Sequence, residues 1–339
     1  VMFLARCGDA MILTLKPDAD PEAVRRALAA RGLWVVRLDG ADGPVAFEVR
    51  AHSRAVAAGE LADLPGVAAV AAPPSPHPRL DAQPERIDVG GLSIGPGAPP
   101  VWIAGPCCIE SEEQIEAAAA AVAAAGARML RGGAFKPRTS PHEFQGHGLA
   151  ALDWLAAAAR RHGLRTVSEA LSERDAEAVA ARVDMVQVGS RNMQNFALLR
   201  AVGATGRPAL LKRGMAATIE EWRLAAEHLL VAGAPGVVFC ERGVRGFDPA
   251  SRNLLDLGAV ALLAHVDRLP VVVDPSHALG RRDLVPHLAK AALAAGAAGV
   301  MIEVHAAPER ALSDGPQALP PDEFAELLRE ARASGRASA

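Results

Sequence analysis

Residues 208–242, PALLKRGMAATIEEWRLAAEHLLVAGAPGVVFCER, decide the fold. The apolar runs at 208–212 and 236–240 have strand length and stand next to proline or glycine, and the alanine-rich stretch 217–232 between them has helix length. Each run ends in charge, KRG after the first and ERGVRG after the second. The same strand–helix unit recurs in both directions. Strand candidates lie at 101–104, 127–131, 165–168, 184–188, 208–212, 236–240, 270–274 and 299–303, and helical stretches at about 112–125, 147–162, 173–182, 194–203, 217–232, 253–265, 282–295 and 321–333. Eight of each over roughly 240 residues predict an α/β fold, a (β/α)8 TIM barrel, and the count and length favour closure over a doubly wound open sheet.

Outside the barrel the pattern changes. IDVGGLSIG, 87–95, reads as a hairpin. Residues 11–75 give the order βαββαβ of a small ferredoxin-like domain. Its strands are MILTLKP, LWVVRLDG, GPVAFEVRA and VAAVAAP, and its helices DPEAVRRALAARG and SRAVAAGELADLPG. Asp20 is placed to cap the first helix, with Pro21 at its first position and Gly32 closing it. Residues 1–10 read as an extension and the proline-rich 76–86 as the core of a linker, leaving 87–339 for the catalytic barrel.

Composition narrows the function. A formal net charge of −3 gives no reason to expect nucleic acid, and no apolar run approaches the length of a membrane span. The four cysteines show no disulfide-framework spacing, and Cys107 and Cys108 are adjacent, so the expected compartment is a reducing cytoplasm. Only four of the 36 basic residues are lysine, and two of these, Lys136 and Lys212, stand in RGGAFKPRTSP and LLKRG. A chain that otherwise writes arginine keeps lysine where a compact ammonium is needed.

In a (β/α)8 barrel, chemistry belongs at the carboxyl ends of the strands. There the sequence places GPCC, RGGAFKPRTSP, SEA, VGSRN, KRG, ERGVRG, DPSHALGRR and EVH, with ALSDG beyond. Cys107, His277, Glu303 and Asp314 together offer one sulfur, one nitrogen and two oxygens, a donor set for a divalent ion such as Zn, Mn, Fe or Co. Singly each has an ordinary explanation: a core thiol, a loop histidine, an arginine partner, a turn residue. Their common rim is what those explanations miss. Arg131, Lys136, Arg138, Arg191, Lys212, Arg213 and Arg242 make a second set, suited to phosphates and carboxylates of small metabolites. Arg213 alone is read as a solvated surface residue. Gly132, Gly133 and Gly189 would let backbone approach a ligand.

These motifs, IAGPC, LRGGAFKPRTSP with FQG, QVGSRNMQNF, LLKRG, CERGVRGF, VVVDPSHALGRRDLV and IEVH with ALSDGPQAL, in this order resemble 3-deoxy-D-arabino-heptulosonate 7-phosphate (DAHP) synthase, in the metal-dependent form with an N-terminal ferredoxin-like domain. The resemblance implies condensation of phosphoenolpyruvate with erythrose 4-phosphate, the first step of the shikimate pathway to aromatic amino acids. It implies metal ligation by Cys107, His277, Glu303 and Asp314, with His277 and Lys136 in the catalytic set. Arg131 and Lys212 would meet the phosphoenolpyruvate carboxylate, and Ser190, Arg191 and Arg242 its phosphate. Lys136, Pro137, Arg138 and Thr139 would form the erythrose 4-phosphate site, with Glu169 organising water. It further implies a tyrosine or phenylalanine effector at the N-terminal domain and a homotetramer. The family usually has serine where Cys108 stands, which leaves the metal thiol open to slipping by one residue; Cys107 is favoured because it follows Gly-Pro. The rival is 3-deoxy-octulosonate 8-phosphate synthase, which takes arabinose 5-phosphate and carries a KANRSS-type segment where this chain has Lys136 to Ser140. A regulatory protein on a dead barrel would show a damaged ligand set, and none is visible.

Overall fold

Strands buried on both faces read as mainly apolar runs, and the eight runs beginning at residue 101 bury most of their residues by closing on one another. In the computed structural model β1 (Val101–Gly105), β2 (Met129–Arg131), β3 (Arg165–Glu169), β4 (Met185–Val188), β5 (Ala209–Lys212), β6 (Val237–Glu241), β7 (Val271–Val273) and β8 (Gly299–Glu303) pair in parallel in sequence order. β8 returns to β1 in the register Gly299 to Val101 through Glu303 to Gly105, which closes the barrel. The structure describes residues 4–5, 11–39, 45–50, 53, 56–72, 74–136, 140 and 142–333.

Helices follow each strand: α1 (Glu112–Ala125), α2 (Leu149–Arg161), α3 (Glu173–Ala180), α4 (Phe196–Ala204), α5 (Ile219–Val231), α6 (Leu257–Ala261, continued by a π-helical turn to Val266), α7 (Val285–Ala294) and α8 (Pro321–Ala333). Local chemistry starts them. Ser111 accepts the Gln114 amide at α1, and Thr218 and Glu221 form a reciprocal capping box at α5. The predicted hairpin is present as Ile87–Val89 paired with Leu92–Ile94. Its apolar side chains share a buried cluster with Val101, Met129, Met185, Leu210, Val238 and Met301, so it plugs the amino-terminal end of the barrel. The carboxyl end is left for chemistry.

The chain divides into two compact units, Val1–Asp81 and Ala82–Ala339. In the first, strands Ile12–Leu15, Val35–Leu38, Ala46–Val49 and Val67–Ala71 form an antiparallel sheet in which the second and third strands of the chain pair with each other, the third with the first, and the first with the fourth. Helices Pro21–Ala29 and Ala58–Ala62 complete the βαββαβ order around a core that includes Leu13, Leu28, Phe47 and Leu61.

One expectation is corrected here, and two gain detail. The second helix is only five residues, because Val56–Ala57 is extended and pairs with Leu4–Ala5; that pairing also gives part of the expected extension a place in the fold. The linker is not uniformly extended, since Pro78–Asp81 makes a helical turn. Its far end belongs to the second unit, where Gln83 hydrogen-bonds both the amide and the carbonyl of Val237, at 2.7 and 3.1 Å.

Candidate metal and anion site

Three strand ends deliver the four expected ligands. Cys107 follows β1, Glu303 ends β8, and Asp314 stands on the loop after β8. Gly105 makes the first of these possible: its φ is 147° and a Cβ there would lie 2.1 Å from the Arg131 carbonyl, so any side chain would force β1 and β2 apart at the rim. His277 sits in a short helix, Pro275–Leu279, that the sequence reading left as loop. Pro275 opens it and left-handed Gly280 closes it, a proline-first, glycine-last signature that could have revealed it.

The donor atoms of Cys107, His277, Glu303 and Asp314 all lie within 4.8 Å of one another. Cys108 is buried beside them but outside the cluster, its backbone bridged to Gly133. The donors are oriented by partners. His277 Nδ1 is 2.7 Å from Asp274 Oδ2, and its backbone amide donates to Asp274 Oδ1 at 3.0 Å. With the proton on Nδ1, the lone pair on Nε2 faces Glu303 Oε1 at 3.2 Å. Two electron-rich atoms at that distance repel unless a cation lies between them, so the donor set fits a divalent ion. Burial lowers the His277 pKa against the pull of Asp274 and Glu303, which keeps the imidazole neutral and able to ligate. Burial works against ionised Glu303, yet the Arg131 guanidinium, donating to it at 2.7 Å, holds its carboxyl below the usual range. For Cys107, burial and then Glu303 push the thiol well above its ordinary value.

Cations interleave with these groups. Lys136 Nζ lies 2.5 Å from Cys107 Sγ and 2.9 Å from Asp314 Oδ2. Arg131 donates to Glu303 Oε1 at 2.7 Å and to the Cys107 carbonyl at 3.3 Å. Lys212 Nζ meets Asp274 Oδ2 at 2.5 Å, both side chains being buried. Arg242 differs: it is 5% exposed, and its Nη1 has no hydrogen-bond partner among the described residues. Burial depresses its pKa, only partly offset by Asp274. A buried, under-satisfied guanidinium asks for an anion.

An open cavity of about 200 Å³ is lined by Lys136, Glu169, Ser190, Arg191, Lys212, Arg242, His277 and Asp314, among others. A deeper space shares Lys136, Glu169, Lys212 and His277 with it and reaches Cys107 and Arg131. Between them the two spaces are lined by every expected site residue among those described except Glu303, which reaches the site through the donor cluster; Pro137, Arg138 and Thr139 lie outside the described residues. Glu169 is held by Gln187 at 2.8 Å. The close approaches at Gly133 and Gly189 are to the protein itself, to the Cys107 carbonyl and the Glu169 carboxylate.

One residue was misread and others were missed. Arg213 is not solvated: it is 6% exposed, pairs with Glu241 and Asp256 at 3.0 and 2.9 Å, and stacks on Trp222. Being next to inward-facing Lys212, it had to point outward toward α5, and strand alternation would have said so. Asp274 was passed over, although the Asp-Pro-Ser-His spacing puts it in capping range of His277. Gln317, which donates to Glu303 Oε2 at 2.5 Å, and Arg252, on the cavity wall, carry no comparable signal.

Comparison with known proteins agrees with this geometry. The sequence model of the DAHP synthetase I family matches residues 79–336. Phospho-2-dehydro-3-deoxyheptonate aldolase of Thermotoga maritima is 41% identical over 326 residues, covering 94% of this chain and 96% of that protein. A crystal structure of the Thermotoga maritima DAHP synthase superposes with a TM-score of 0.74 at 40% identity, covering 96% of this chain and 98% of that one. A truncated form from the same organism gives 0.69 at 43% identity over 75% of this chain and 94% of that one. The 2-dehydro-3-deoxyphosphooctonate aldolase of Alkalilimnicola ehrlichii is 33% identical over 262 residues, 71% of this chain and 93% of its own length. With the family match running through the barrel and the Thermotoga alignment through nearly the whole chain, this protein belongs to the DAHP synthetase I family.

Proposed function

We propose that the chain is a transferase that condenses phosphoenolpyruvate with erythrose 4-phosphate and water to give 3-deoxy-D-arabino-heptulosonate 7-phosphate and inorganic phosphate, the entry step to aromatic amino acids. What carries this reading is the Cys107, His277, Glu303 and Asp314 donor set, of which His277 and Asp314 line the same cavity as Arg242, whose Nη1 lacks a hydrogen-bond partner among the described residues. A divalent ion held by those four residues, of the Mn, Zn, Fe or Co kind, supplies Lewis acidity toward the aldehyde oxygen.

The protein side chains do the rest. Arg242, Arg191 and Ser190 hold the phosphoenolpyruvate phosphate, while Arg131 and Lys212 hold its carboxylate. C3 of phosphoenolpyruvate bonds to the aldehyde carbon, and the aldehyde oxygen takes a proton from Lys136. Water adds its oxygen to C2 and gives one proton to Glu169; the new C2 hydroxyl then becomes the C2 ketone as the bond from C2 to the phosphate oxygen breaks, and its proton leaves with the phosphate. Pro137, Arg138 and Thr139 follow Lys136 directly and are assigned to the sugar phosphate. The N-terminal unit is assigned as a ferredoxin-like regulatory module for tyrosine or phenylalanine, in a cytoplasmic homotetramer; its βαββαβ order supports the ferredoxin-like part of this reading.

One assay tests the catalytic reading: phosphoenolpyruvate consumption with erythrose 4-phosphate against arabinose 5-phosphate, each with and without chelator. Consumption with the four-carbon aldehyde, abolished by chelation, is expected. Preference for arabinose 5-phosphate would instead favour the octulosonate reaction, whose named relatives match about 71–74% of this chain. Removal of residues 1–80 is expected to keep catalysis and abolish aromatic amino acid inhibition, whereas retained inhibition would move the effector site into the barrel.

A further inference from the structure

Glu110 lies three residues past Cys107 and takes no part in the reaction above, yet two other active-site loops, those after β2 and β8, meet on it. Its Oε1 accepts the Leu312 amide at 2.8 Å, on the loop that carries Asp314 two residues later. Its Oε2 faces His305 Nε2 at 3.5 Å, just beyond β8. Its carbonyl lies 3.0 Å from His147 Nε2, on the β2 loop that begins with Lys136. His147 in turn sits edge-on between Phe144 and Trp154, with ring centroids 5.1 and 5.5 Å away.

Asp314 needs such a tie. It holds φ 51° and ψ 28°, a left-handed conformation that aspartate tolerates better than most residues and that its surroundings still have to hold in one place. His305 has the matching polarity. Its Nδ1 accepts the Ala307 amide at 3.0 Å, so the neutral ring carries its proton on Nε2, which has no hydrogen-bond partner among the described residues and has Glu110 Oε2 as its neighbouring acceptor.

We infer that Glu110 is a positioning residue: by bonding the Leu312 amide and facing His305, it fixes the Asp314 loop against the Cys107 loop and so sets the affinity of the four-residue site for its divalent ion. This deepens the metal reading of the quartet and rests on it. Groups that orient ligands from outside the coordination sphere typically change metal affinity about 10–100-fold when removed.

The test measures Mn affinity by chelator competition and phosphoenolpyruvate affinity separately, in the full chain and in Glu110→Ala and Glu110→Gln, with melting temperatures as control. The expected result is a loss of Mn affinity of about 10–100-fold in Glu110→Ala, with phosphoenolpyruvate affinity changed less than about threefold. Glu110→Gln keeps one acceptor oxygen, enough for the Leu312 amide but not for His305 as well, and is expected between the two. Equal Mn affinity in the parent and Glu110→Ala overturns the inference, as does an equal loss for both ligands, which would mark general disorder. A parent chain that binds no divalent ion would overturn the metal reading itself, and this inference with it.

Discussion

Replacing Asp274 by Asn tests whether one buried carboxylate organises both halves of the site. Asp274 is fully buried, 2.5 Å from Lys212 Nζ and 2.7 Å from His277 Nδ1. Burial works against its ionised form, yet His277 and Lys212 hold its pKa well below the usual carboxylate range. At an effective dielectric of about 20, unit charges at the Lys212 distance attract by about 7 kcal/mol. Desolvation of both ions offsets much of that attraction, and removing one partner of such a pair typically costs about 3–5 kcal/mol because the other charge stays buried. At about 2–4 °C per kcal/mol for a unit of this size, the barrel of Asp274→Asn should melt roughly 10 °C below the parent in chelated buffer. The second consequence separates organisation from mere stability. The asparagine amide cannot offer carboxylate oxygens to Lys212, His277 Nδ1 and the His277 amide together, so divalent-ion affinity should fall about 10–100-fold. The paired assays are thermal unfolding without metal and chelator competition at a temperature where both proteins are folded. A variant with parental melting and parental metal affinity would refute the reasoning, and a loss of stability alone would reduce Asp274 to a structural ion-pair partner.

Arg242→Gln removes a buried cation whose Nη1 lacks a partner; it should raise the phosphoenolpyruvate KM about 10–100-fold, the size of a lost hydrogen bond to a charged group, and leave the ligand-free protein at least as stable in thermal melts. Cys107→Ala should lose bound metal by elemental analysis and lose activity with it, whereas Cys108→Ala, buried outside the cluster, should keep both. Gly189→Ala puts a methyl group 2.0 Å from Glu169 Oε1 and must displace that carboxylate; turnover should fall about 100-fold, as for a lost general base, at unchanged metal content, and unchanged turnover would remove Glu169 from the mechanism.

The barrel was legible because strands covered on both faces carry their burial in every residue, as Val101–Gly105 and Val237–Glu241 do. Cys107 and Glu303 were legible for a related reason: a strand end fixes direction as well as position, so a chemical residue there must enter the mouth. Glu110, Gln317 and the Lys212 half of the role of Asp274 were not, because each works through partners from other parts of the chain. Asp274 meets Lys212 across 62 residues and Glu110 meets Leu312 across 202. No local pattern encodes such pairings before the barrel closes. The shortened helix at Ala58–Ala62 has the same cause, since Val56–Ala57 takes its extended form with a strand some fifty residues earlier.

The site's charges also decide which residue can draw a ligand most strongly. Arg131, Lys136 and Lys212 each already face an acidic partner, Glu303, Asp314 and Asp274. An incoming carboxylate or phosphate therefore joins a network close to balance at those points, and the net attraction left to each cation is small beside its bare charge. These three side chains are then better suited to orienting an anion than to supplying its affinity, because their own partners hold them in place. Arg242 is in the opposite condition, desolvated by burial with one donor unused. In a low-dielectric setting the first anion to reach it restores a bond the folded chain lacks, so affinity for a phosphate dianion should concentrate there. The same division explains how a mouth crowded with cations folds without ligand: among its described buried cations, Arg131 and Lys212 are neutralised internally, and the unmet donor belongs to Arg242.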